Sequence, residues 1–189
     1  MYDNLAYKDK LREEMIGGQV VAMSPATPRH NRVALKIAVL FENYLKGKKC
    51  IPFGDGTAVF LTDDDHFIPD FMVVCDPKKI KEKWVEGAPD LVVEILSPST
   101  AKNDKWHKKN VYESSGVPEY WIVSSKERSI EVYLLRDGRY ELDGLYTYYP
   151  EEELKDMWDE DREALVMEFK CHLYDDLVIR LEDIFGDLF

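Results

Sequence analysis

Two acidic residues in this sequence stand where a carboxylate could hold a metal ion. Asp70 follows Pro69 at the entrance of the apolar run FMVVC, and Glu94 lies within the apolar run LVVEIL. The second run predicts a strand buried on both faces, where an ionised carboxylate is costly unless it is paired, hydrogen-bonded or bound to a metal. Two carboxylates on neighbouring strands suit Mg²⁺, which prefers oxygen ligands and commonly takes one or two protein carboxylates. The alternative is a structural network of buried acids.

A lysine-rich segment follows Glu94 and offers a cation for the same site. The sequence SPST at 97–100 ends the strand and supplies a helix N-cap, and a helix is predicted over 101–115. Four residues have the spacing of one helix face: Asp104, Lys108, Val111 and Tyr112. A lysine beside a metal can orient an attacking water and offset charge that develops on a phosphate. The alternative is a solvated surface, which is the usual role of such a charge run.

Other kinds of site find little support in the sequence. It has no glycine-rich phosphate loop, no HExxH and no GxSxG, and its four histidines lack zinc-ligand spacing. His30, near the start of a predicted helix, is either a capping or surface residue or part of a site. The three cysteines are widely spaced, which argues against a disulfide framework and indicates a reducing cytoplasm. Cys75 is interpreted as a core residue.

Length and composition predict one globular domain over 1–189. The 189 residues are 45% hydrophobic, which is enough for a sizeable core. No apolar run reaches the roughly 18 residues of a membrane-spanning helix, and the first residues lack an apolar signal core. We therefore expect a cytoplasmic protein without a membrane partner. The net charge of -12 argues against nonspecific coating of nucleic acid but leaves room for a local basic groove.

The elements that would position these residues follow from periodicity and turn signals. Helices are predicted at 8–15, 28–46 and 181–185, and a surface helix or turn at 78–84. An acidic insertion is expected at about 151–170, beginning with an exposed helix or loop. The acids at 63–65 are interpreted as a solvated hairpin tip. Strands are predicted at 19–23, 50–53, 57–61, 71–75, 91–96, 119–123, 130–135 and 140–149.

Three segments together resemble a known family. IPDFMVVCDP, EGAPDLVVEILSPST and the spaced Asp104, Lys108 and Tyr112 before GVPEYWIV resemble the Uma-two family of proposed restriction endonucleases, within the PD-(D/E)xK nuclease superfamily. The resemblance runs over about 17–189. It implies a restriction-endonuclease-like α/β (α+β) fold, in which helices flank a mixed central β-sheet. It also implies an endonuclease that cleaves DNA with Mg²⁺, for which Mn²⁺ can substitute.

The resemblance assigns roles to residues. Asp70 matches the motif aspartate and Glu94 the second acid, and the backbone carbonyl of Ile95 would complete the metal shell. The superfamily's lysine, two residues after that acid, is replaced by Leu96. In this family the lysine lies on the next helix, where Lys108 matches it. The alternatives are Lys105 or Lys102 for the cation and Asp90 for a carboxylate.

Two hypotheses follow, from different functional classes. The first is a Mg²⁺-dependent phosphodiesterase acting on DNA. The second is a binding or assembly module with a vestigial site, including a homodimer, which the net charge and Leu96 favour. In that version an interface could use Tyr146, Tyr148 and Tyr149. A nuclease for RNA or single strands has less support, because the sequence contains no clear stacking platform.

Overall fold

A computed structural model describes residues 12–97 and 101–189, except the side chain of Lys102. The strands are β1 Glu13–Ile16, β2 Gln19–Ala22, β3 Ile51–Gly54, β4 Ala58–Phe60, β5 His66–Phe67, β6 Phe71–Val74, β7 Trp84–Glu86, β8 Leu91–Ile95, β9 Glu119–Ser124, β10 Ser129–Arg136, β11 Arg139–Thr147, β12 Glu168–Lys170 and β13 Val178–Arg180. The helices are α1 Pro28–Leu45, α2 Ala101–Asn103, α3 Lys109–Ser115, α4 Glu151–Lys155, α5 Asp159–Glu163 and α6 Leu181–Phe185.

The largest sheet has six strands in the order β11-β10-β9-β8-β6-β3. Its pairs are antiparallel except for β8 and β9, because the chain between these two strands crosses back over one face of the sheet as a helix. On the opposite face, α1 buries Val33, Ile37 and Phe41 against the sheet. The prediction of a mixed central sheet flanked by helices is confirmed.

Helix α1 has a clear start signal. Thr27 is its N-cap, whose side-chain hydroxyl accepts a hydrogen bond from the backbone N–H of His30, and Pro28 opens the helix. This cap fixes His30 in the first turn, and its side chain is buried. The first turn of α1 therefore delivers a histidine to the end of the sheet where Asp70 lies.

The helix between β8 and β9 is interrupted by a π-helical segment, Asp104–Lys108, which joins α2 to α3. The wider π turn has about 4.4 residues, so residues four apart face nearly the same direction. Asp104 and Lys108 are both buried, as are Val111 and Tyr112, which confirms the predicted common face. Gly116, at φ +85°, ends α3 in the left-handed conformation that glycine favours.

A second sheet of five short strands, ordered β2-β1-β5-β4-β7, covers the face of the main sheet that carries α3. Val59, Phe67 and Val85 pack from it against Val92 and Tyr120 of the main sheet and contribute to a second apolar cluster. This small sheet was not predicted as a unit. Its importance is that β1 runs over the site.

The predicted helix at 8–15 is wrong where it can be compared. Residues 13–16 form β1, which pairs with β2 and β5, and residues 8–11 lie outside the described part of the chain. The charged composition of this segment favours a helix. The Gly17-Gly18 turn instead folds it into a hairpin, and strand pairing overrides the local helix propensity. In the same way, the predicted turn at 78–84 is a 3-10 turn at Pro77–Lys79 followed by β7.

The expectation that the cysteines are unpaired is also wrong. Cys50 and Cys75 form a disulfide with 4.0 Å between their Cα atoms, and Cys171 is free and buried. The register of β3 on β6 explains the pair, because Ile51 lies opposite Val74 and the flanking cysteines meet across the ladder. The cysteines therefore no longer indicate a reducing compartment. Within the described residues, no helix is long and apolar enough to cross a membrane.

We expect reduction of this disulfide to lower the free energy of unfolding by about 3 kcal/mol, because it frees a loop of 25 residues in the unfolded chain. Urea unfolding with and without dithiothreitol measures the difference. Cys50→Ser/Cys75→Ser is the control and should not respond to reductant. A thiol titre of three in the denatured, unreduced protein, rather than the single Cys171, would contradict the disulfide.

Candidate active site

Lys108 lies at the centre of a buried group of charges. Its Nζ is 2.8 Å from Glu14 Oε1, 3.2 Å from Glu94 Oε1 and 3.6 Å from Asp104 Oδ1. All four side chains are almost completely buried. Each charge is therefore stabilised by the opposite charges around it rather than by water. The acid within the central strand β8 therefore faces a lysine from the next helix.

Three further contacts fix the orientation of these charges. Tyr112 donates its hydroxyl to Glu94 Oε1 at 2.8 Å, from one turn along the helix. The backbone N–H of Ile68 donates to Glu14 Oε1, also at 2.8 Å. Tyr120 on β9 donates to the backbone carbonyl of Asp104 at 2.9 Å, which holds the π segment against the sheet. The acids and the lysine are thus preorganised.

Asp70 and His30 form the second part of the site. Asp70 Oδ2 accepts from the backbone N–H of Ile95 at 2.7 Å and lies 3.2 Å from His30 Nε2. Burial lowers the pKa of His30, but its hydrogen bond to Asp70 and the charge of that carboxylate outweigh this, so the pKa is raised overall. His30 Nδ1 is buried and has no hydrogen-bond partner among the described residues.

The two parts line one small cavity of about 40 Å³. It is bounded by Asp70, Glu94 and Ile95 from the sheet, by His30 from α1, and by Asp104 and Lys108 from the π segment. The antiparallel register of β6 on β8, with Phe71 opposite Val93, brings Asp70 to the end of β8 that carries Glu94. A volume of this size has room for an ion or a few water molecules.

The donor set fits a divalent cation bound by oxygen. Four carboxylates, Glu14, Asp70, Glu94 and Asp104, lie close together here, and Lys108 and His30 are basic partners to them. Burial raises the pKa of Glu94 well above its usual range, Lys108 opposes this shift, and the other three carboxylates add to it. A cation would relieve that repulsion.

The fit is to an ion that keeps water ligands. Nowhere in 12–97 or 101–189 do three or more His, Cys, Asp or Glu side chains form a group that could enclose a metal. Mg²⁺ is ordinarily held by one or two carboxylates plus waters and substrate phosphates, so a full side-chain cage is not required. Asp70 and Glu94, with the carbonyl of Ile95, are the residues that would hold it.

Two of the alternative site residues lie elsewhere. Asp90 Oδ2 accepts from the backbone N–H of Cys75 at 2.7 Å and does not line the cavity. Lys105 extends along the surface, where its Nζ is 2.6 Å from Glu131 Oε1. The side chain of Lys102 lies outside what the structure describes. Of Lys105 and Lys108, whose side chains the structure describes, Lys108 is the one placed beside Glu94.

Glu14 and Arg12 are the cavity's unpredicted neighbours. The sequence does not identify Glu14 as a site residue when 8–15 is predicted to be a helix. A strand prediction for this segment would have placed one acid on its inward face. Arg12 lines the mouth of the cavity with Asp55. Asp65 was expected at a solvated hairpin tip. It is instead buried, accepting from the backbone N–H of Gly17 at 2.9 Å and lying 2.7 Å from His107 Nε2.

The fold is shared with a nuclease-like protein of known structure. A "putative nuclease belonging to DUF820" from Anabaena variabilis superimposes with a TM-score of 0.70 and 16% sequence identity, over 94% of this chain and 91% of that chain. At this identity the likeness concerns the fold alone, which is a mixed α/β fold.

The family follows from sequence. The model of the Uma2 family, described as "Putative restriction endonuclease", matches residues 1–159. Two uncharacterized proteins of Synechocystis sp. are also similar: slr1290 is 32% identical over 137 residues, 70% of this chain and 72% of that protein, and sll1609 is 24% identical over 126 residues, 65% and 71% of the two chains. The chain belongs to the Uma2 family, and the resemblance inferred from its motifs is confirmed.

Proposed function

We propose that this protein is a Mg²⁺-dependent endonuclease that hydrolyses phosphodiester bonds of DNA. The observation that carries the proposal is the convergence of Asp70, Glu94 and Lys108 on one cavity, from two adjacent strands and the following helix. An isolated structural ion pair would not need Asp70 and its partner His30 to line the same cavity. Family membership supports the same class of reaction.

The side chains would divide the work as follows. Asp70 and Glu94 would hold the ion, which would supply Lewis acidity for the phosphate and the attacking water. Lys108 keeps its ammonium at the base of the cavity, where it orients that water and offsets charge on the phosphate oxygens. Its surrounding carboxylates raise its pKa, although burial opposes them, so it remains charged. His30 holds Asp70 in position through Nε2.

We expect Asp70→Asn and Glu94→Gln to weaken Mg²⁺ binding at least ~tenfold and to reduce DNA cleavage in parallel, because each removes a negatively charged ligand. Calorimetric titration with Mg²⁺ and Mn²⁺ measures binding. Cleavage is followed on supercoiled, linear and single-stranded DNA.

Asp90→Asn is the matched control for these variants. Like Asp70, Asp90 follows a proline, stands at the entrance of a strand and accepts a backbone N–H at 2.7 Å, but it lies away from the cavity. Its substitution should leave metal binding and cleavage unchanged. Metal binding and cleavage that are equal in the parent, Asp70→Asn and Glu94→Gln proteins would contradict the proposed mechanism.

A second candidate function is a binding or assembly module, including a homodimer. The observation in its favour is that Lys108 already contacts three carboxylates, so the buried charges are partly balanced without a metal. Absence of Mg²⁺ binding at millimolar ion, together with a stable dimer in light scattering, would support this function instead.

We also propose the cytoplasm as the place of action, since that is where a DNA substrate would be met. In that compartment Cys50 and Cys75 would be kept as thiols by the reducing pool. The disulfide is the observation against this location. Alkylation of thiols in intact cells before lysis would distinguish a reducing from an oxidising location. Labelled Cys50 and Cys75 would support the cytoplasm, and unlabelled Cys50 and Cys75 would contradict it.

A further inference from the structure

Arg12 and Asp55 form an ion pair at the mouth of the site cavity. The guanidinium is bidentate: Nη1 lies 2.5 Å from Asp55 Oδ1 and Nη2 lies 2.8 Å from Asp55 Oδ2. Both residues line the cavity, yet the Arg12 side chain is 47% exposed and that of Asp55 is 31% exposed. The pair therefore faces solvent on one side and the buried carboxylates on the other.

Arg12 differs from the other basic residues that line this cavity in the described chain. Lys108 is buried among three carboxylates, and His30 is buried against Asp70. Arg12 alone among the three is half exposed. Its pKa is raised by the hydrogen bond to Asp55 first, and also by the charges of Asp70 and Glu14, so the guanidinium lies within electrostatic reach of the site. An anion approaching the acidic cavity would therefore meet Arg12 before Lys108 or His30.

We propose that Arg12 binds a phosphate of the nucleic-acid backbone and that Asp55 occupies this position in the free protein. The inference rests on the proposed function, and it assigns the residue that admits a polyanion to an acid-rich cavity. A guanidinium fork binds two oxygens of a carboxylate or of a phosphate with the same geometry. A backbone phosphate can therefore replace Asp55 without any movement of the arginine's backbone.

The backbone around the pair is arranged for this exchange. The carbonyl of Arg12 accepts from the N–H of Met23 at 2.8 Å, which ties it to the segment before α1 that lines the same cavity. Asp55 lies in the turn between β3 and β4. The next residue, Gly56, has φ +108°, and a Cβ there would lie 3.8 Å from Arg12 Nη1. The backbone of Arg12 is thus held by a hydrogen bond to Met23, whereas Asp55 lies on a turn.

The alternative is an ordinary surface salt bridge, and the chain contains a matched control for it. Arg136 contacts Glu141 at 3.1 Å and Asp143 at 2.9 Å, with a side chain that is 49% exposed. Arg136 ends β10 and its two partners lie on β11, near the edge of the main sheet that is far from β6, and Arg136 does not line the cavity. A general electrostatic effect would respond equally to the loss of either arginine.

The test is binding of a short fluorescein-labelled DNA duplex, followed by anisotropy in Ca²⁺ over a range of salt concentrations. We expect Arg12→Ala to weaken binding about tenfold, because a charge-assisted contact is lost, and to lower the salt slope by about one. Asp55→Ala should tighten binding about threefold, since it removes the internal competitor. Arg136→Ala should change neither quantity.

These readouts separate this inference from the proposed function. Binding that is unchanged in Arg12→Ala, or reduced equally in Arg136→Ala, would overturn the role of Arg12 even if the protein cleaves DNA. A tenfold loss in Arg12→Ala would support it even if no cleavage occurs. Weaker binding in Asp55→Ala would also overturn it, because the carboxylate would then support the phosphate site rather than compete with it. A parent protein that neither binds nor cleaves DNA would overturn both proposals.

Discussion

Lys108→Met should lower the free energy of unfolding by about 3–5 kcal/mol, because it leaves Glu14, Glu94 and Asp104 buried without their shared cation. Methionine keeps most of the side-chain volume, so the loss of charge accounts for the change rather than a cavity. Urea unfolding at neutral pH measures it. The expected loss of stability is large because the single ammonium of Lys108 compensates the charges of three carboxylates.

The same variant has an expected pH dependence. Burial already raises the pKa of Glu94 above its ordinary value of 4.5, and removal of Lys108 takes away the group that opposes this rise. A carboxyl whose pKa is higher in the folded state stabilises the fold at low pH and loses that contribution as the pH rises. The deficit of Lys108→Met should therefore be largest at neutral and alkaline pH and smaller near pH 4.5.

Lys105→Met is the control, since Lys105 forms an exposed pair with Glu131 and should contribute about 1 kcal/mol or less. If Lys108→Met unfolded with the parent's free energy at neutral pH, the buried charge cluster would not exist as described.

Glu119→Ala should also lower the free energy of unfolding by about 3–5 kcal/mol. This buried carboxylate accepts from the Trp121 indole at 2.8 Å and from the backbone N–H groups of His172 and Leu173 at 3.2 and 2.9 Å. Its removal leaves these three donors, and the Cys171 thiol that lies 3.5 Å from Glu119 Oε2, without this acceptor. Each unsatisfied N–H group costs about 1–3 kcal/mol if no other partner is found. The substitution would also detach the 171–173 segment from β9.

Glu119→Gln separates the hydrogen bonds from the charge, because one amide oxygen remains as an acceptor. It should recover part of the loss, and Glu131→Ala, at a partly exposed acid, should cost much less. Urea unfolding and amide exchange at His172 and Leu173 measure the two effects. A Glu119→Ala protein with the parent's stability and exchange rates would show that these bonds contribute nothing.

The central part of the site could be predicted from the sequence because it depends on local patterns. The apolar run around Glu94 marks β8, and the spacing of Asp104, Lys108 and Tyr112 identifies one helix face. A helix that follows a strand directly must return over it, so an inward lysine on that helix reaches the strand's acid. The periodicity of α1 likewise predicted its bounds to within one residue.

Asp70 and Asp90 show what local patterns leave undecided. Both follow a proline at the entrance of an apolar strand, and each accepts the backbone N–H at the far end of the other's strand. Because β6 and β8 are antiparallel, these entrances lie at opposite ends of the strand pair. Only Asp70 lies at the end reached by the helix. The difference between Asp70 and Asp90 comes from how the strands pair, and the spacing of residues in the sequence gives no information about that pairing.

Glu14 and the disulfide were missed for a similar reason. The contact from Glu14 to Lys108 joins residues 94 positions apart, and β1 is a short strand with a helix-like composition. Cys50 and Cys75 become neighbours only through the register of β3 on β6. Long-range pairing decided both contacts.

The helical origin of the lysine affects how relatives of this protein can be recognised in genomes. In the proposed site the cation comes from Lys108, so the second position after Glu94 does not need a lysine, and Leu96 packs there against the second apolar cluster. The acid and the lysine are 14 residues apart in the sequence. A search for an acid and a lysine at alternate strand positions would pass over such chains, whereas a strand acid followed by a helix with Asp, Lys and Tyr at four-residue intervals would retrieve them.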